Sequence, residues 1–258
     1  MGEPQAPVSI ERRDDIAIVT ISNPGKLNAM SVPMRDGLTD AFRTLNDDPT
    51  CRAIVLTGAG DNFSAGADLG GWNETEVRQC RTRLRRGGTL LMREMIAGAK
   101  PIVAAIEGYA FGAGLALTCA ADYVVASETA KFCCAFTKVG FIPDMALMFS
   151  LPNRVGPAKA KQLIALAETI DARRAERLGL VDDIVPVGGA LAAAEAVARR
   201  FAAGPPLAFD IMKSVFSRGM EAMIQAELDL QPILWLSEDH VEGKTAVREK
   251  RKPRFSGK

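Results

Sequence analysis

The segment Gly108-Tyr-Ala-Phe-Gly-Ala-Gly-Leu-Ala-Leu117 follows the apolar run Pro101-Ile-Val-Ala-Ala-Ile106 and opens an apolar stretch that continues to about Ala121. The first run is typical of a buried strand and the second of a helix. Glycines at such a turn let backbone N–H groups approach a ligand closely, at the positive end of the helix dipole. The turn therefore predicts a place where negative charge on a ligand oxygen is stabilised, although the same glycines could serve only close packing of helix on sheet.

A second turn of similar composition, Phe63-Ser-Ala-Gly-Ala-Asp-Leu69, follows the buried-type strand Ala53–Thr57. Two small-residue turns that each follow a strand can bring two backbone donors to one thioester or enolate oxygen. Together the two turns predict an oxyanion hole.

The pattern before residue 144 alternates strands with helices. A hairpin is expected at Val8–Arg12 and Ile16–Ser22, and Ser31 is expected to cap a helix that runs to about Asn46. A longer helix over 74–99 should be broken near Gly87 and Gly88. This alternation predicts an α/β fold with a mostly parallel sheet.

The pattern changes after Asp144, where almost every segment has helical character and only Val181–Val185 looks extended. We therefore expect a β-rich core over residues 1–200 and a C-terminal helical subdomain over 201–258. The helices are predicted at 144–152, 157–167, 172–178, 187–203, 206–217 and 219–250.

The composition is that of an ordinary globular protein, with 48% hydrophobic and 24% charged residues. A formal net charge of +1 gives no overall field to attract nucleic acid or a membrane surface. No run is long enough to cross a bilayer, and Met1–Pro7 lacks the apolar core of a signal peptide. We expect a cytoplasmic protein without nucleic-acid or membrane partners. Five scattered cysteines predict reduced thiols and no metal site: Cys51, Cys80, Cys119, Cys133 and Cys134.

Six segments, in order along nearly the whole chain, resemble the crotonase (enoyl-CoA hydratase/isomerase) superfamily. The resemblance implies a ββα spiral core whose trailing helices assemble a homotrimer or a hexamer (a dimer of trimers). It also implies an acyl-CoA substrate, with coenzyme A as part of the substrate and no separate cofactor. The segments are Asn23–Met30, Phe63–Leu69, Gly108–Gly114, Val139–Asp144, Ala175–Val181 and Glu249–Phe255.

The same resemblance implies roles for individual residues. Ala67 and Ala113 would supply the two oxyanion N–H groups, because a backbone donor tolerates any side chain. Coenzyme A would lie near seven further residues, of which the lysine could meet a phosphate or simply be solvated: Lys26, Leu27, Ala29, Ala65, Asp68, Leu69 and Gly112.

The two glutamates that enoyl-CoA hydratases use around one water would fall at Ala116 and Phe136. Neither side chain can hold or activate a water, so hydration by two carboxylates is chemically unsupported. One acid remains in register with single-acid isomerases of the family, and that is Asp144.

Asp144 has two possible roles. It could be the acid/base that faces the acyl chain, or it could cap a helix that begins at residue 145, since Asp after Pro is a good helix start. Its neighbours are apolar and would raise the pKa of a carboxylate: Phe136, Phe141, Ile142, Met145, Met148 and Phe149.

One acid/base next to an oxyanion hole favours isomerisation of a 3-enoyl-CoA to a 2-enoyl-CoA. The alternatives are a hydratase-like, hydrolytic or dehalogenase reaction, or an acyl-CoA-binding protein without catalysis. His240 is the only histidine, which argues against a Ser-His-Asp hydrolase, and its polar surroundings predict a surface position. A basic run is expected to form a solvated helix face or a shelf for phosphates or a neighbour's acids: Arg78, Arg81, Arg83, Arg85 and Arg86.

Overall fold

The computed structural model describes residues 6–258, so most of the Met1–Pro7 segment lies outside the described residues. The hairpin forms as expected, since its two strands pair in antiparallel register from Val8 opposite Ile21 to Arg13 opposite Ile16. The strands are β1 (Val8–Arg13), β2 (Ile16–Ile21), β3 (Ala53–Gly58), β4 (Ile102–Ile106), β5 (Tyr109–Phe111), β6 (Tyr123–Ser127), β7 (Lys131–Cys133), β8 (Ile170–Asp171) and β9 (Asp183–Val185).

Helices separate and follow these strands, which confirms the α/β fold class. They are α1 (Val32–Asp47), α2 (Val77–Arg86), α3 (Gly88–Ile96), α4 (Ala113–Ala120), α5 (Leu147–Val155), α6 (Pro157–Leu166), α7 (Ala172–Arg177), α8 (Ala190–Ala202), α9 (Pro206–Phe216), α10 (Met220–Trp235) and α11 (Glu238–Arg248). In the part of the chain that the structure describes, no helix is long and apolar enough to span a bilayer.

Six strands form the main sheet in the order β1-β2-β3-β4-β6-β9, and every pair after the hairpin is parallel. Alternate residues of the central strands face two different apolar clusters, so both faces of the sheet are covered. Ile54 and Leu56 of β3 face the larger cluster, whereas Ala53 and Val55 face the smaller one. This burial on both faces explains why the strands read as continuous apolar runs.

The smaller cluster is closed by α8, whose inner face is made of alanines. Ala190, Ala194 and Ala198 recur at intervals of four residues and are fully buried. Because their side chains are short, the helix backbone can lie close to the sheet. Helix α8 therefore packs directly on the sheet as part of the core. The boundary at residue 200 between a core and a C-terminal helical subdomain stays a prediction.

A second, three-stranded sheet has the order β5-β7-β8 and stands at the start of α4. The chain passes from β4 through β5 into α4 over the Gly108–Gly114 turn, so this turn links the two sheets. All five cysteines lie within the described residues, and each is buried and unpaired.

Two of the predicted helices differ from those in the structure. The break near Gly87 is confirmed, but the helix expected at 144–152 begins only at Leu147 and ends at Val155. The helix expected at 219–250 is two helices, because Ser237 ends the first and caps the second, accepting a hydrogen bond from the His240 N–H (3.1 Å).

Candidate active site

Three separate segments, 27–30, 63–68 and 110–114, are joined by backbone hydrogen bonds into one structure. The Met30 N–H donates to the Gly66 carbonyl (2.7 Å) and the Asp68 N–H to the Met30 carbonyl (3.0 Å). Ser64 joins the 63–68 segment to the strand that leads into the 110–114 segment, since the Ser64 N–H donates to the Tyr109 carbonyl (2.7 Å). The two glycine-containing turns predicted from the sequence therefore lie side by side.

Glycine is required at two places in this arrangement. Gly112 has φ of 50° and ψ of −113°, a conformation that side chains with a Cβ rarely adopt. A Cβ added at Gly114 would lie 2.6 Å from the backbone oxygen of Ser64. The glycines thus serve the close approach of the two turns, which includes the packing role considered from the sequence.

The backbone amides of Ala67 and Ala113 are available at these turns. Both residues line one pocket of about 260 Å³, which we call the central pocket. Among the described residues, neither N–H donates a hydrogen bond to another protein group. Ala113 is the first residue of α4, where an N–H has no partner within the helix. Two unused donors next to one pocket are the arrangement expected of an oxyanion hole.

Six parts of the fold supply most of the central pocket: the two turns, the start of α1, the α2–α3 break, the loop before α5, and the end of α10. Its lining is mixed, with apolar side chains, two arginines and two carboxylates. The lining residues are Met30, Ser31, Val32, Pro33, Arg35, Ala67, Asp68, Trp72, Arg83, Leu84, Gly88, Ala113, Phe136, Asp144, Met145 and Trp235.

Asp144 lies in the loop before α5 and does not cap that helix. The next two residues, Met145 and Ala146, have positive φ of 56° and 52°, and Ala146 occupies the N-cap position. The Asp144 backbone carbonyl accepts from the Leu147 N–H (3.1 Å), while its side chain lines the central pocket. The capping interpretation of Asp144 is therefore wrong.

Helix α10 holds this loop with two polar side chains that the sequence interpretation missed. The Glu227 carboxylate accepts from the Ala146 N–H (3.1 Å), and the Gln231 amide donates to the Ile142 carbonyl (2.9 Å). Gln231 is also close enough to the Asp144 carboxylate to lower its pKa. Glu227, Gln231 and Trp235 are four residues apart, so they share one helix face. That spacing was the only signal in the sequence.

The two carboxyl groups have different proton affinities. Burial raises the pKa of Asp144 to about 6, although the Gln231 side chain and the Arg35 charge lower it. Burial and the negative charge of Asp144 raise the pKa of Glu227 to about 8. At neutral pH, Asp144 is thus ionised but more basic than an ordinary aspartate, while Glu227 keeps its proton.

An aromatic wall closes the far side of the pocket. Trp72 stacks on Trp235 with ring centroids 4.7 Å apart, and Phe141 stacks on His240 at 3.9 Å. His240 is fully buried, so the expected surface position is wrong. The Ser237 cap turns this residue inward, where its Nδ1 hydrogen bonds to the Val139 carbonyl (2.7 Å) and burial lowers its pKa to about 4.

The residues expected near coenzyme A lie along the outer edge of the two turns. Lys26 forms an ion pair with Asp68 (2.7 Å), and this pair lowers the pKa of the aspartate. Asp68 lines the central pocket, whereas the other six are not among its lining residues: Lys26, Leu27, Ala29, Ala65, Leu69 and Gly112.

The two positions expected for hydratase glutamates differ in environment. Ala116 is fully buried inside α4 and is not part of the pocket lining, whereas the Phe136 ring lines the pocket. Within residues 6–258, no cluster of three or more side chains suited to metal binding occurs.

Known proteins are similar to this chain in sequence and in fold. A family model described as "Enoyl-CoA hydratase/isomerase" matches residues 11–258. The chain is 36% identical over 255 residues to a probable enoyl-CoA hydratase of Rhodobacter capsulatus, covering 97% of this chain and 98% of the relative. It is 30% identical over 250 residues to the 1,2-epoxyphenylacetyl-CoA isomerase of Escherichia coli, covering 94% and 95%.

A solved structure, that of the carnitinyl-CoA hydratase from Mycobacterium avium, superposes with a TM-score of 0.87 at 29% identity. The match covers 99% of this chain and 100% of that one. The arrangement of sheets and C-terminal helices is therefore shared with that structure.

Proposed function

The chain belongs to the enoyl-CoA hydratase/isomerase family, and from this premise we propose that it moves the double bond of a 3-enoyl-CoA to position 2. The observation that carries this proposal is that Asp144, with its raised pKa, lines the same pocket as the unused amides of Ala67 and Ala113. One base opposite one oxyanion hole is what a proton shift next to a thioester needs.

In the proposed reaction the thioester oxygen accepts hydrogen bonds from the Ala67 and Ala113 N–H groups. The Asp144 carboxylate takes a proton from C2, and the electron pair of that C–H bond moves into a dienolate that the two amides stabilise. Asp144 then returns the proton to C4, so the double bond lies between C2 and C3. The base is restored without water or a redox partner.

Two-carboxylate hydration has less support from the pocket. Asp68 is the only other carboxylate among the described lining residues, and it is paired with Lys26. Glu227 is buried behind the Asp144 loop and keeps its proton at neutral pH. Several relatives bear the name hydratase, so hydration of a 2-enoyl-CoA is the reaction against which isomerisation has to be measured.

The proposal is tested by mixing the protein with 3-hexenoyl-CoA in heavy water and following the products by NMR. Conversion to 2-hexenoyl-CoA is expected, with hydration much slower than isomerisation. Deuterium appears at C4 only in the fraction of turnovers in which the Asp144 proton exchanges with heavy water before it is returned. Rapid formation of the 3-hydroxyacyl thioester from 2-hexenoyl-CoA would contradict the proposed reaction. Acyl-CoA binding without any proton exchange at C2 would instead indicate a binding protein.

We also propose that the chain assembles as a homotrimer or a dimer of trimers. One face of α9 is apolar and exposed, with Leu207 at 68% and Ile211, one turn later, at 56% of full exposure. Leaving such a face in water is unfavourable, and a second copy could cover it. Light scattering should give three or six times the mass of the chain, and a monomer mass that does not change with concentration would contradict this.

A further inference from the structure

Arg35 projects from α1 toward the central pocket and is one of its lining residues. Its guanidinium group fits into the break between α2 and α3. A Cβ added at Gly87 would lie 2.5 Å from Nη1 of Arg35, so the missing side chain at Gly87 makes the room for this group. The helix break predicted near Gly87 therefore accommodates the positively charged side chain of Arg35.

Within residues 6–258, the Arg35 side chain forms no hydrogen bond and no ion pair, although its Nε is buried. Arg83 on the same pocket wall behaves differently, since it pairs with Glu74 at 2.7 Å. Burial lowers the pKa of Arg35, whereas the charge of the adjacent Asp36 raises it. The Nε atom is cut off from water without a hydrogen-bond partner, which is unfavourable. An unpaired cation in a pocket is a binding group for an anionic ligand.

The charges around the pocket leave room for one such anion. Arg83 is balanced by Glu74, and Asp68 is balanced by Lys26 at the edge. Asp144 interacts with Arg35 through its charge but does not hydrogen bond to it. When Asp144 takes up a proton during turnover, Asp36 and Glu74 are the remaining carboxylates whose charges act on Arg35, and neither of them forms an ion pair with it.

We propose that Arg35 binds a second carboxylate on the acyl group, so that the substrate is the coenzyme A thioester of an unsaturated dicarboxylic acid. The inference rests on the proposed function, because it assigns the substrate class of the same pocket. The planar guanidinium can hold a carboxylate through two parallel hydrogen bonds.

The shape of the site agrees with a short acyl chain of this kind. The central pocket is about 260 Å³, slightly smaller than the sites of drug-sized ligands. Arg35 also borders an open groove between α1 and α2, whose polar lining contains arginines at positions 78, 83 and 86 and acids at positions 36, 74 and 76. The charged end of the acyl chain can therefore stay partly hydrated while its thioester end is enclosed.

The test compares two saturated thioesters that differ only at the far end of the acyl chain, glutaryl-CoA with a carboxylate and pentanoyl-CoA with a methyl group. Calorimetry should show glutaryl-CoA binding about tenfold more tightly, the size of one hydrogen bond between charged groups. In Arg35→Met this preference should vanish, because glutaryl-CoA binding weakens while pentanoyl-CoA binding changes less than about twofold. Arg85→Met removes an exposed arginine of α2 that lines neither the central pocket nor this groove, and it should keep the preference.

Equal binding of both thioesters by the unaltered protein would overturn the assignment, and no variant is needed for that result. Equal weakening of both thioesters in Arg35→Met, with a shifted pH profile of isomerisation, would overturn it too, because Arg35 would then act only on Asp144. Failure to bind any acyl-CoA would instead contradict the proposed function. Should Arg35→Met fold poorly, Gly87→Ala displaces the guanidinium group and should reduce the preference for glutaryl-CoA.

Discussion

The two halves of the central pocket are built in different ways. The thioester half, named for the part of the substrate that we propose it binds, consists of the backbone amides of Ala67 and Ala113, held by hydrogen bonds between the two turns. The acyl half consists of side chains such as Asp144, Arg35 and Trp235, which come from three separate parts of the chain. Backbone donors do not change when a side chain is replaced, so the enolate chemistry can stay constant while substitutions in the acyl half change the substrate and the proton route.

The halves also differ in their response to pH. An amide N–H does not titrate in the physiological range, so the thioester half keeps its donors at every pH at which the fold persists. The acyl half contains two buried carboxyl groups with pKa values of about 6 and about 8. We therefore expect pH to act on activity and stability mainly through Asp144 and Glu227.

The largest effect is expected from removing the base of the acyl half. Asp144→Asn keeps the size of the side chain and its contact with Gln231 but cannot accept a proton. Isomerisation should fall at least about a hundredfold, which is typical of losing an acid–base group, while the affinity for acyl-CoA changes little. Steady-state kinetics and calorimetry on the same preparation measure both quantities.

Asp144→Asn distinguishes the roles of the two halves only if the variant still binds acyl-CoA. A parallel loss of affinity would mean that Asp144 holds the substrate rather than moving its proton. Near-normal isomerisation in the variant would show that another group is the base.

The next largest effect is expected in the thioester half. Gly114→Ala places a methyl carbon 2.6 Å from the Ser64 carbonyl oxygen and must push the two turns apart. Because the Ala67 and Ala113 amides would then no longer converge, kcat should fall roughly tenfold to a hundredfold. The control is Gly37→Ala in α1, where the added methyl meets only the Val8 side chain at 3.2 Å. Equal kcat in the two variants would mean that the contact between the turns does not matter for the reaction.

The thioester half was the more predictable half of the site. Strand, glycine turn and helix follow one another within a dozen residues, so the positions of Gly112 and Gly114 could be predicted from local sequence. The pairing of the 63–69 turn with the 108–114 turn also follows from the parallel order of β3 and β4. The Ser31 cap and the Gly87 break were predictable for the same reason, since each depends on a few adjacent residues.

The acyl half was less predictable, because its contacts join distant parts of the chain. Glu227 and Asp144 are separated by more than 80 positions, and only the path of α10 over the core brings them together. The same path encloses His240, which polar neighbours had suggested to be exposed. The left-handed residues Met145 and Ala146 removed Asp144 from the helix start, and neither residue type indicates that conformation.

A smaller effect, on stability rather than turnover, is expected from Glu227→Gln. The folded protein holds the Glu227 proton up to pH about 8, whereas an unfolded chain releases it near 4.5. The folded state therefore binds more protons between these values, and the free energy of unfolding falls as pH rises through this window. Between pH 6.5 and 8 the loss should be about 2 kcal/mol in the unaltered protein and absent in Glu227→Gln.

Urea unfolding at fixed protein concentration measures this loss. Asp144 and His240 contribute little above pH 6.5, because their pKa values in the folded state are about 6 and about 4. Glu221→Gln is the control, since it changes an exposed acid on the same helix that pairs with Arg93. An equal fall in stability for the unaltered protein and for Glu227→Gln would mean that Glu227 is ionised in the folded state.

The smallest effect is expected at the outer edge of the thioester half, from Lys26→Ala. Lys26 is 59% exposed and pairs with Asp68, so it can contribute only a screened charge to a bound nucleotide phosphate. The dissociation constant of acyl-CoA should rise about twofold to fivefold at low salt, and less at high salt. A pantetheine thioester without the nucleotide should bind equally to both proteins, and kcat should not change, because the amides of Ala67 and Ala113 remain in place. A fall in kcat would break the distinction between the halves, since it would show that the thioester half also depends on a side chain, through the Lys26–Asp68 pair that borders the Ala67 amide.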